Sequence, residues 1–206
     1  NYKRETNRFN CICSAFSFIV LIVFLSVGGF GWYNAWIVGI TDNLILQTLL
    51  FMLGLLVAST LAEMPFDWYA TFRIEEKFGF NKTTLKTWGS DALKSLLLSV
   101  LIGGIILTVV VWFYKVTGIY FWYYAWAIIS LFSLFMALFY SRLIVPLFNK
   151  QFPLESGNLR DKIETLVQKT GFKLKNIYVI DGSRRSTKAN AYFTGFGPEK
   201  RVVLYD

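Results

Sequence analysis

The run Asn190, Ala191 and Tyr192, near the carboxyl end of the chain, has residue types suited to binding an extended peptide. The letters NAYFTG read as a short strand, and a strand with one open edge offers its N–H and C=O groups to a peptide. The side-chain amide of Asn190 can add a hydrogen bond to a peptide backbone. An ordinary amphipathic strand has the same appearance, so the residues by themselves leave both interpretations open.

Catalytic side chains are scarce in the rest of the sequence. The chain has no histidine, which excludes a Ser-His-Asp or Cys-His arrangement and any His-based metal site within these residues. Cys11 and Cys13 form a Cys-x-Cys pair, but no further cysteine is present to complete a metal site. We expect them to be small apolar residues at the edge of a membrane segment, with palmitoylation as the alternative. The sequence therefore predicts no catalytic residue and no metal ligand in this chain.

Two carboxylates, Glu63 and Asp67, lie four residues apart at the end of an apolar run, on a helical face interrupted by Pro65. A carboxylate at membrane depth is costly and usually faces a wet internal cavity. The alternative is that both side chains have already reached the lipid headgroups. Spacing alone does not make the pair an acid/base couple, and both interpretations stay open.

The elements that must position these residues are mostly apolar segments. Hydrophobic residues make up 55% of the 206 and charged residues only 17%, unlike a soluble globular protein. A helix needs roughly 20 apolar residues to cross a bilayer, and lipid offers no partner to an unpaired backbone amide. Four uncharged runs are that long and lack the alternation of barrel strands, and they cover residues 10–41, 43–62, 95–114 and 116–141. We predict four transmembrane helices.

Basic residues place the loops, because Lys and Arg accumulate on the cytoplasmic side of a membrane. Of the 21, three precede the first span, none separates spans one and two, five separate spans two and three, one separates spans three and four, and twelve follow. The sequence thus predicts that the amino terminus, the loop 73–94 and the carboxyl-terminal segment are cytoplasmic. The net charge of +8 is explained by this topology and by anionic lipid headgroups, so nucleic acid is not an expected partner.

The composition changes at Pro146, and the remaining residues resemble a soluble α/β segment. Apolar residues recur at helical spacing from Leu159 to Val167, and three strand-like runs follow, KNIYVID, NAYFTG and RVVLYD. The last two runs are expected to form a hairpin across residues 196–200. One helix and about three strands bury too little surface to be stable alone. We therefore expect a transmembrane helical domain at 1–145 and part of a larger domain at 146–206.

Four longer stretches together resemble the type I CAAX prenyl proteases, which are integral-membrane zinc metallopeptidases. In chain order they are residues 65–86, 145–154, 177–186 and 190–206. The resemblance implies that the last strand is followed by a helix bearing H-E-x-x-H, whose histidines bind zinc while its glutamate activates water. We expect this chain to be a fragment that begins after the first membrane helix of the family, ends just before the zinc helix and is inactive alone.

The resemblance also bears on particular residues. It implies that Asn190, Ala191 and Tyr192 line the substrate cleft and hold the substrate backbone antiparallel. The helices of this family enclose a water-filled chamber. This favours the interpretation that Glu63 and Asp67 face a wet internal cavity.

A basic loop precedes the NAYFTG run. Family members often have Ser-Ser-His-Ser where this chain has Ser-Thr-Lys-Ala at 186–189, so no role of that histidine carries over. We expect Arg184, Arg185 and Lys188 to form a solvated basic loop, with the anchoring of a substrate carboxylate as the alternative.

Taken with the residues, the resemblance predicts a mostly α membrane protein with four transmembrane helices and a partial α/β metallopeptidase segment. The expected function is that of an integral-membrane zinc metalloendopeptidase cleaving peptides at or within the membrane, including the carboxyl-terminal processing of prenylated proteins. Zinc is the expected cofactor of the complete protein, with its ligands outside this chain. Expected partners are peptide or protein substrates and membrane lipids. The alternatives are a non-catalytic scaffold that binds extended peptides and, less favoured, a transporter.

Overall fold

Helices account for most of the chain, because apolar segments in lipid must satisfy their own backbone groups. The computed structural model describes residues 1–169, 176–195 and 200–206. The first five α-helices are α1 (Tyr2–Ser26), α2 (Gly29–Val38), α3 (Leu44–Tyr69), α4 (Leu85–Thr117) and α5 (Phe121–Leu143). The other helical elements are α6 (Val145–Phe148), α7 (Asn158–Lys169), a π-helical segment (Ala70–Glu75) and two 3-10 turns (Gly118–Tyr120 and Gly182–Arg184).

Three helical segments among the described residues are long and apolar enough to cross a membrane, Tyr2–Ser26, Leu44–Glu75 and Leu85–Phe148. The last is 64 residues long and contains both α4 and α5, joined by a 3-10 turn. The four predicted spans therefore correspond to α1, α3, α4 and α5.

The predicted first span contains two helices and not one. Gly28 separates α1 from α2 and has a φ of 69°, a left-handed conformation that favours glycine. The chain turns at this point, and the rings of Phe24 and Phe30 pack edge to face with centroids 4.8 Å apart. The hydrophobicity of the uncharged run is continuous across the glycine, so hydrophobicity alone does not mark the end of α1.

The start of α3 is held by local and tertiary contacts. Asn43 caps the helix, since its Oδ1 accepts hydrogen bonds from the amides of Ile45 at 2.9 Å and Leu46 at 3.2 Å. Further along, the Tyr33 hydroxyl of α2 donates to the carbonyl oxygen of Leu50 at 3.0 Å. The two helices are thus joined by a side chain that reaches the backbone of its neighbour.

The strands form one mixed sheet in the order β1-β2-β4-β3. They are β1 (Gln151–Pro153), β2 (Asn176–Ile180), β3 (Ala191–Thr194) and β4 (Arg201–Tyr205). β2 and β4 are parallel, while β1 and β3 pair antiparallel to them at the two edges. The central strands supply the core, where four side chains are at most 6% exposed, namely Ile177, Ile180, Val202 and Val203.

About three strands were predicted, and β1 is an additional one. It is only three residues long, too short for its sequence to show strand periodicity. β3 and β4 do pair antiparallel, but most of the predicted turn at 196–200 lies outside the described residues.

The chain forms two compact units. One contains residues 1–81 and 92–128, and the other contains residues 82–91 and 129–206. The second half of the predicted middle loop thus belongs to the unit that holds the sheet.

Candidate functional site

The candidate peptide-binding strand, β3, lies at an edge of the sheet. Among the described strands it pairs on one side only, with β4, placing Ala191 opposite Leu204 and Tyr192 opposite Val203. The amide of Tyr205 donates to the carbonyl oxygen of Asn190 at 3.0 Å. Because successive residues of an antiparallel strand point their backbone groups in opposite directions, those of Ala191 point away from β4. The outer side of β3 therefore has the geometry to accept another strand.

Asn190 occupies the start of this edge with an exposed side chain. Its Oδ1 accepts a hydrogen bond from the amide of Ala191 at 2.9 Å, and its backbone carbonyl is used by β4. The Nδ2 group is then the part of the side chain suited to donate to a peptide carbonyl. Asn190 can both organise the edge and contact an extended ligand.

Tyr192 has a different position from its two neighbours. Its ring is half-buried and lies edge to face with the ring of Tyr205, with the two ring centroids 6.4 Å apart. Burial raises the pKa of the Tyr192 hydroxyl above its ordinary value, and a hydrogen bond with the Ser141 side chain partly opposes this shift. Ser141 is itself 1% exposed and also accepts a hydrogen bond from Gln151 Nε2 at 3.3 Å. The Tyr192 side chain is therefore less exposed than those of Asn190 and Ala191.

The loop between β2 and β3 is fastened to the end of β4. The Oδ1 of Asp206 accepts from the amide of Ser183 and its Oδ2 accepts from the Ser183 hydroxyl, each at 2.8 Å. The amide of Asp206 also donates to the carbonyl of Ile180 at 3.2 Å. These contacts fix the course of the chain as it leaves the parallel strands.

The prediction of a solvated basic loop is wrong for Arg185. The Arg185 side chain is 22% exposed, its Nε lies 2.8 Å from Asp91 Oδ2, and its Nη2 donates to the carbonyl of Phe148 at 2.7 Å. The Arg184 side chain is 55% exposed, and its Nη1 lies 3.7 Å from Asp181 Oδ2. Lys188 is partly buried. Sequence reasoning could not find the Arg185 ion pair, because its partner lies 94 positions earlier.

Glu63 and Asp67 are both exposed on the surface of their unit. Glu63 borders a groove of about 560 Å³ between α1 and α3, whose lining is mostly apolar and includes Phe16 and Leu55. That the two carboxylates face a wet internal cavity stays a prediction.

A zinc site is not formed by the residues that the structure describes. Across 1–169, 176–195 and 200–206 no group of three or more His, Cys, Asp or Glu side chains is placed to hold a metal ion. Cys11 and Cys13 are free thiols. These residues do not fit zinc.

The sequence matches two family models that divide the chain between them. Residues 1–150 match the model described as CAAX prenyl protease N-terminal, five membrane helices, and residues 153–206 match peptidase family M48. The chain belongs to the CAAX prenyl protease family. The predicted resemblance is thus confirmed, as is a mostly α fold built for the membrane with a small sheet.

Individual CAAX prenyl proteases are similar over long stretches. The chain is 44% identical over 165 residues to CAAX prenyl protease 1 homolog of Arabidopsis thaliana, covering 80% of the chain and 39% of the relative. It is 39% identical over 223 residues to probable CAAX prenyl protease 1 of Schizosaccharomyces pombe, covering 100% of the chain and 46% of the relative. The chain spans less than half the length of these curated relatives.

The fold is also similar to that of a solved structure. The crystal structure of S. mikatae Ste24p matches with a TM-score of 0.91 at 37% identity, covering 100% of this chain and 50% of that one. The family description counts five membrane helices where the sequence predicted four spans. The chain is therefore an integral-membrane member of this metallopeptidase family.

Proposed function

We propose that the full-length protein containing this chain is an integral-membrane zinc metalloendopeptidase. Its proposed activity is the cleavage of peptides at or within the membrane, including the carboxyl-terminal processing of prenylated proteins. The observation that carries the proposal is the edge strand β3, with its outward-facing backbone, in a chain that matches the CAAX prenyl protease family. Zinc is the expected cofactor, with ligands outside the described residues.

In this proposal a substrate peptide lies antiparallel to β3 and extends the sheet by one strand. The C=O of Ala191 accepts a hydrogen bond from the peptide backbone, and Asn190 Nδ2 donates to a peptide carbonyl. Tyr192, whose half-buried ring lies beside that of Tyr205, lines the cleft with them. Because these contacts use backbone groups, binding would tolerate many side-chain sequences.

The domain boundary and the membrane topology are part of the same proposal. Residues 1–145 form the membrane domain, whose spans contact lipid, and residues 146–206 begin the peptidase domain. The distribution of basic residues supports a cytoplasmic position for the amino terminus, for the loop 73–94 and for the carboxyl-terminal segment. This arrangement puts β3 on the cytoplasmic side.

Asn190→Ala in the full-length protein tests the role of the edge strand. One lost hydrogen bond is worth about 1 kcal/mol, so we expect kcat/KM for a peptide substrate to fall roughly five- to tenfold. Asn190→Asp retains an oxygen that can accept from the Ala191 amide but lacks the amide donor. We therefore expect it to lose the same activity while keeping the local contact.

Thermal unfolding of each variant separates binding from folding. The melting temperature should change little, and Asn7→Ala, which removes an exposed asparagine of α1, serves as the control with unchanged activity. Unchanged turnover in Asn190→Ala would remove Asn190 from the site. A full-length protein that binds peptide without cleaving it would support the scaffold alternative.

A further inference from the structure

Arg185 connects three separate segments of one compact unit. Its guanidinium contacts Asp91 through Nε at 2.8 Å and the carbonyl of Phe148 through Nη2 at 2.7 Å. Its own backbone carbonyl accepts hydrogen bonds from the amide of Lys82 at 2.9 Å and from the Thr83 hydroxyl at 3.1 Å. The side chain and the backbone carbonyl of Arg185 thus both bind segment 82–91. The side chain also binds the last residue of α6.

The loop that contains Arg185 leads directly into β3. The amide of Arg185 donates to the carbonyl of Gly182 at 2.9 Å, and Ser183 is bound to Asp206 by two hydrogen bonds. The loop is therefore fixed to β4 on one side and to segment 82–91 on the other. Asn190 follows five residues later, so the position of this loop bears on where the edge strand begins.

Arginine suits this position better than lysine does. A guanidinium is planar and presents several N–H donors in fixed directions, so it can meet a carboxylate and a carbonyl at once. The two charged side chains, Arg185 and Asp91, are only 22% and 23% exposed, so solvent screens their attraction less than that of a surface pair. The guanidinium of Arg185 thus holds Asp91 and the carbonyl of Phe148 in fixed positions relative to the loop.

We propose that Arg185 is a positioning residue for the substrate edge, which it aligns by holding the loop before β3 against segment 82–91. The inference rests on the proposed function of β3. Arg185 does not touch substrate in this proposal and acts through Asn190 and Ala191. Weakening its contact with Asp91 lets the start of β3 shift, which impairs substrate binding before it impairs the chemical step.

Arg185→Lys and Asp91→Asn in the full-length protein test the proposal. A misplacement of about 1 Å can reduce the rate about 100-fold, and we expect kcat/KM to fall about 10- to 100-fold, mostly through KM. The double variant should lose little more than the worse single variant, because both changes break one contact. If Arg185→Lys fails to fold, Asp91→Asn alone gives the result.

Arg160 provides a matched control in the same unit. Its Nε donates to Glu164 Oε1 at 2.8 Å and its Nη1 donates to the carbonyl of Leu154 at 2.6 Å. Like Arg185, it therefore binds one carboxylate and one backbone carbonyl. We expect Arg160→Lys to lower thermal stability as Arg185→Lys does but to leave KM unchanged. Equal effects of the two variants on KM would overturn the positioning role.

Hydrogen exchange supplies a readout that needs no substrate. In Asp91→Asn, the amides of Lys82 and Arg185 should exchange faster, while those of the central strand β2 should not. Unchanged exchange at both amides would overturn the proposal.

Comparison with Asn190→Ala separates this inference from the function on which it rests. If Asn190→Ala reduces turnover and Arg185→Lys leaves KM unchanged, only the positioning role fails. If Asn190→Ala also has no effect, the proposed role of β3 fails with it.

Discussion

Asp206 illustrates how single contacts at the end of a strand set the properties of a side chain. The backbone hydrogen bond from Ser183 is the largest influence and the hydroxyl bond from the same residue is the next, and both favour the carboxylate. They lower the pKa of Asp206 below its ordinary value of 3.8. The unfolded chain lacks these bonds, so Asp206 links the stability of the loop to pH.

Asp206→Asn should therefore change the acid sensitivity of the protein. A carboxylate with a lowered pKa stabilises the folded state above about pH 4, and this contribution is lost as pH falls through the folded-state pKa. We expect the variant to be less stable near pH 7 and to lose less stability between pH 5 and pH 3. Thermal unfolding of the full-length protein across this range measures the effect. Parallel curves for the variant and the parent would show that Asp206 carries no such linkage.

At the scale of helices, Tyr33 of α2 lies close to Gly54 of α3. The hydroxyl of Tyr33 donates to the carbonyl of Leu50, and a Cβ placed on Gly54 would collide with that hydroxyl. Tyr33 also packs against Phe51, with ring centroids 5.1 Å apart. The close approach of the two helices therefore depends on the missing side chain at position 54.

Gly54→Ala should separate these helices. Forcing a methyl group into a filled contact typically destabilises by about 1–3 kcal/mol, and Tyr33 would have to leave its carbonyl partner. Gly103→Ala in α4 is the control, since a Cβ there meets nothing within 4 Å and alanine favours the helix by up to about 1 kcal/mol. Thermal unfolding in detergent compares the two variants. Similar stability of the two would mean that α2 is not held by this contact.

At the scale of the whole molecule, the membrane imposes the main constraint. The helix α4 has 33 residues, which at 1.5 Å per residue makes it about 50 Å long, well above the roughly 30 Å of the hydrocarbon core. Lys82 precedes this helix and Lys115 lies in its last turn. A helix of this length and hydropathy is suited to place its two ends on opposite sides of a bilayer.

We predict that Lys82 and Lys115 lie on opposite faces of the membrane. Cysteines introduced singly at these positions, after replacement of Cys11 and Cys13 by serine, should react differently with an impermeant reagent in sealed vesicles. Position 82 should react from the cytoplasmic side and position 115 from the other side. Reaction of both from one side would refute the topology.

Much of the fold could be predicted because its causes are local. The uncharged runs identify the membrane helices, since a span must be apolar along its whole length. The short β1 strand was not predicted, because it lacks periodicity. The break at Gly28 depends on a backbone angle. The outward direction of the Ala191 backbone likewise depends on which residues pair with β4.

The sequence by itself determined the family, the membrane helices and the run that became β3, because hydrophobic length and long motifs are properties of consecutive residues. Only the tertiary structure decided that β3 lies at an edge and that Arg185, unlike its neighbour Arg184, is paired with Asp91. Strand order and a contact across 94 positions arise when distant segments pack together. The pattern of neighbouring residues in the sequence does not show which distant segments pack together.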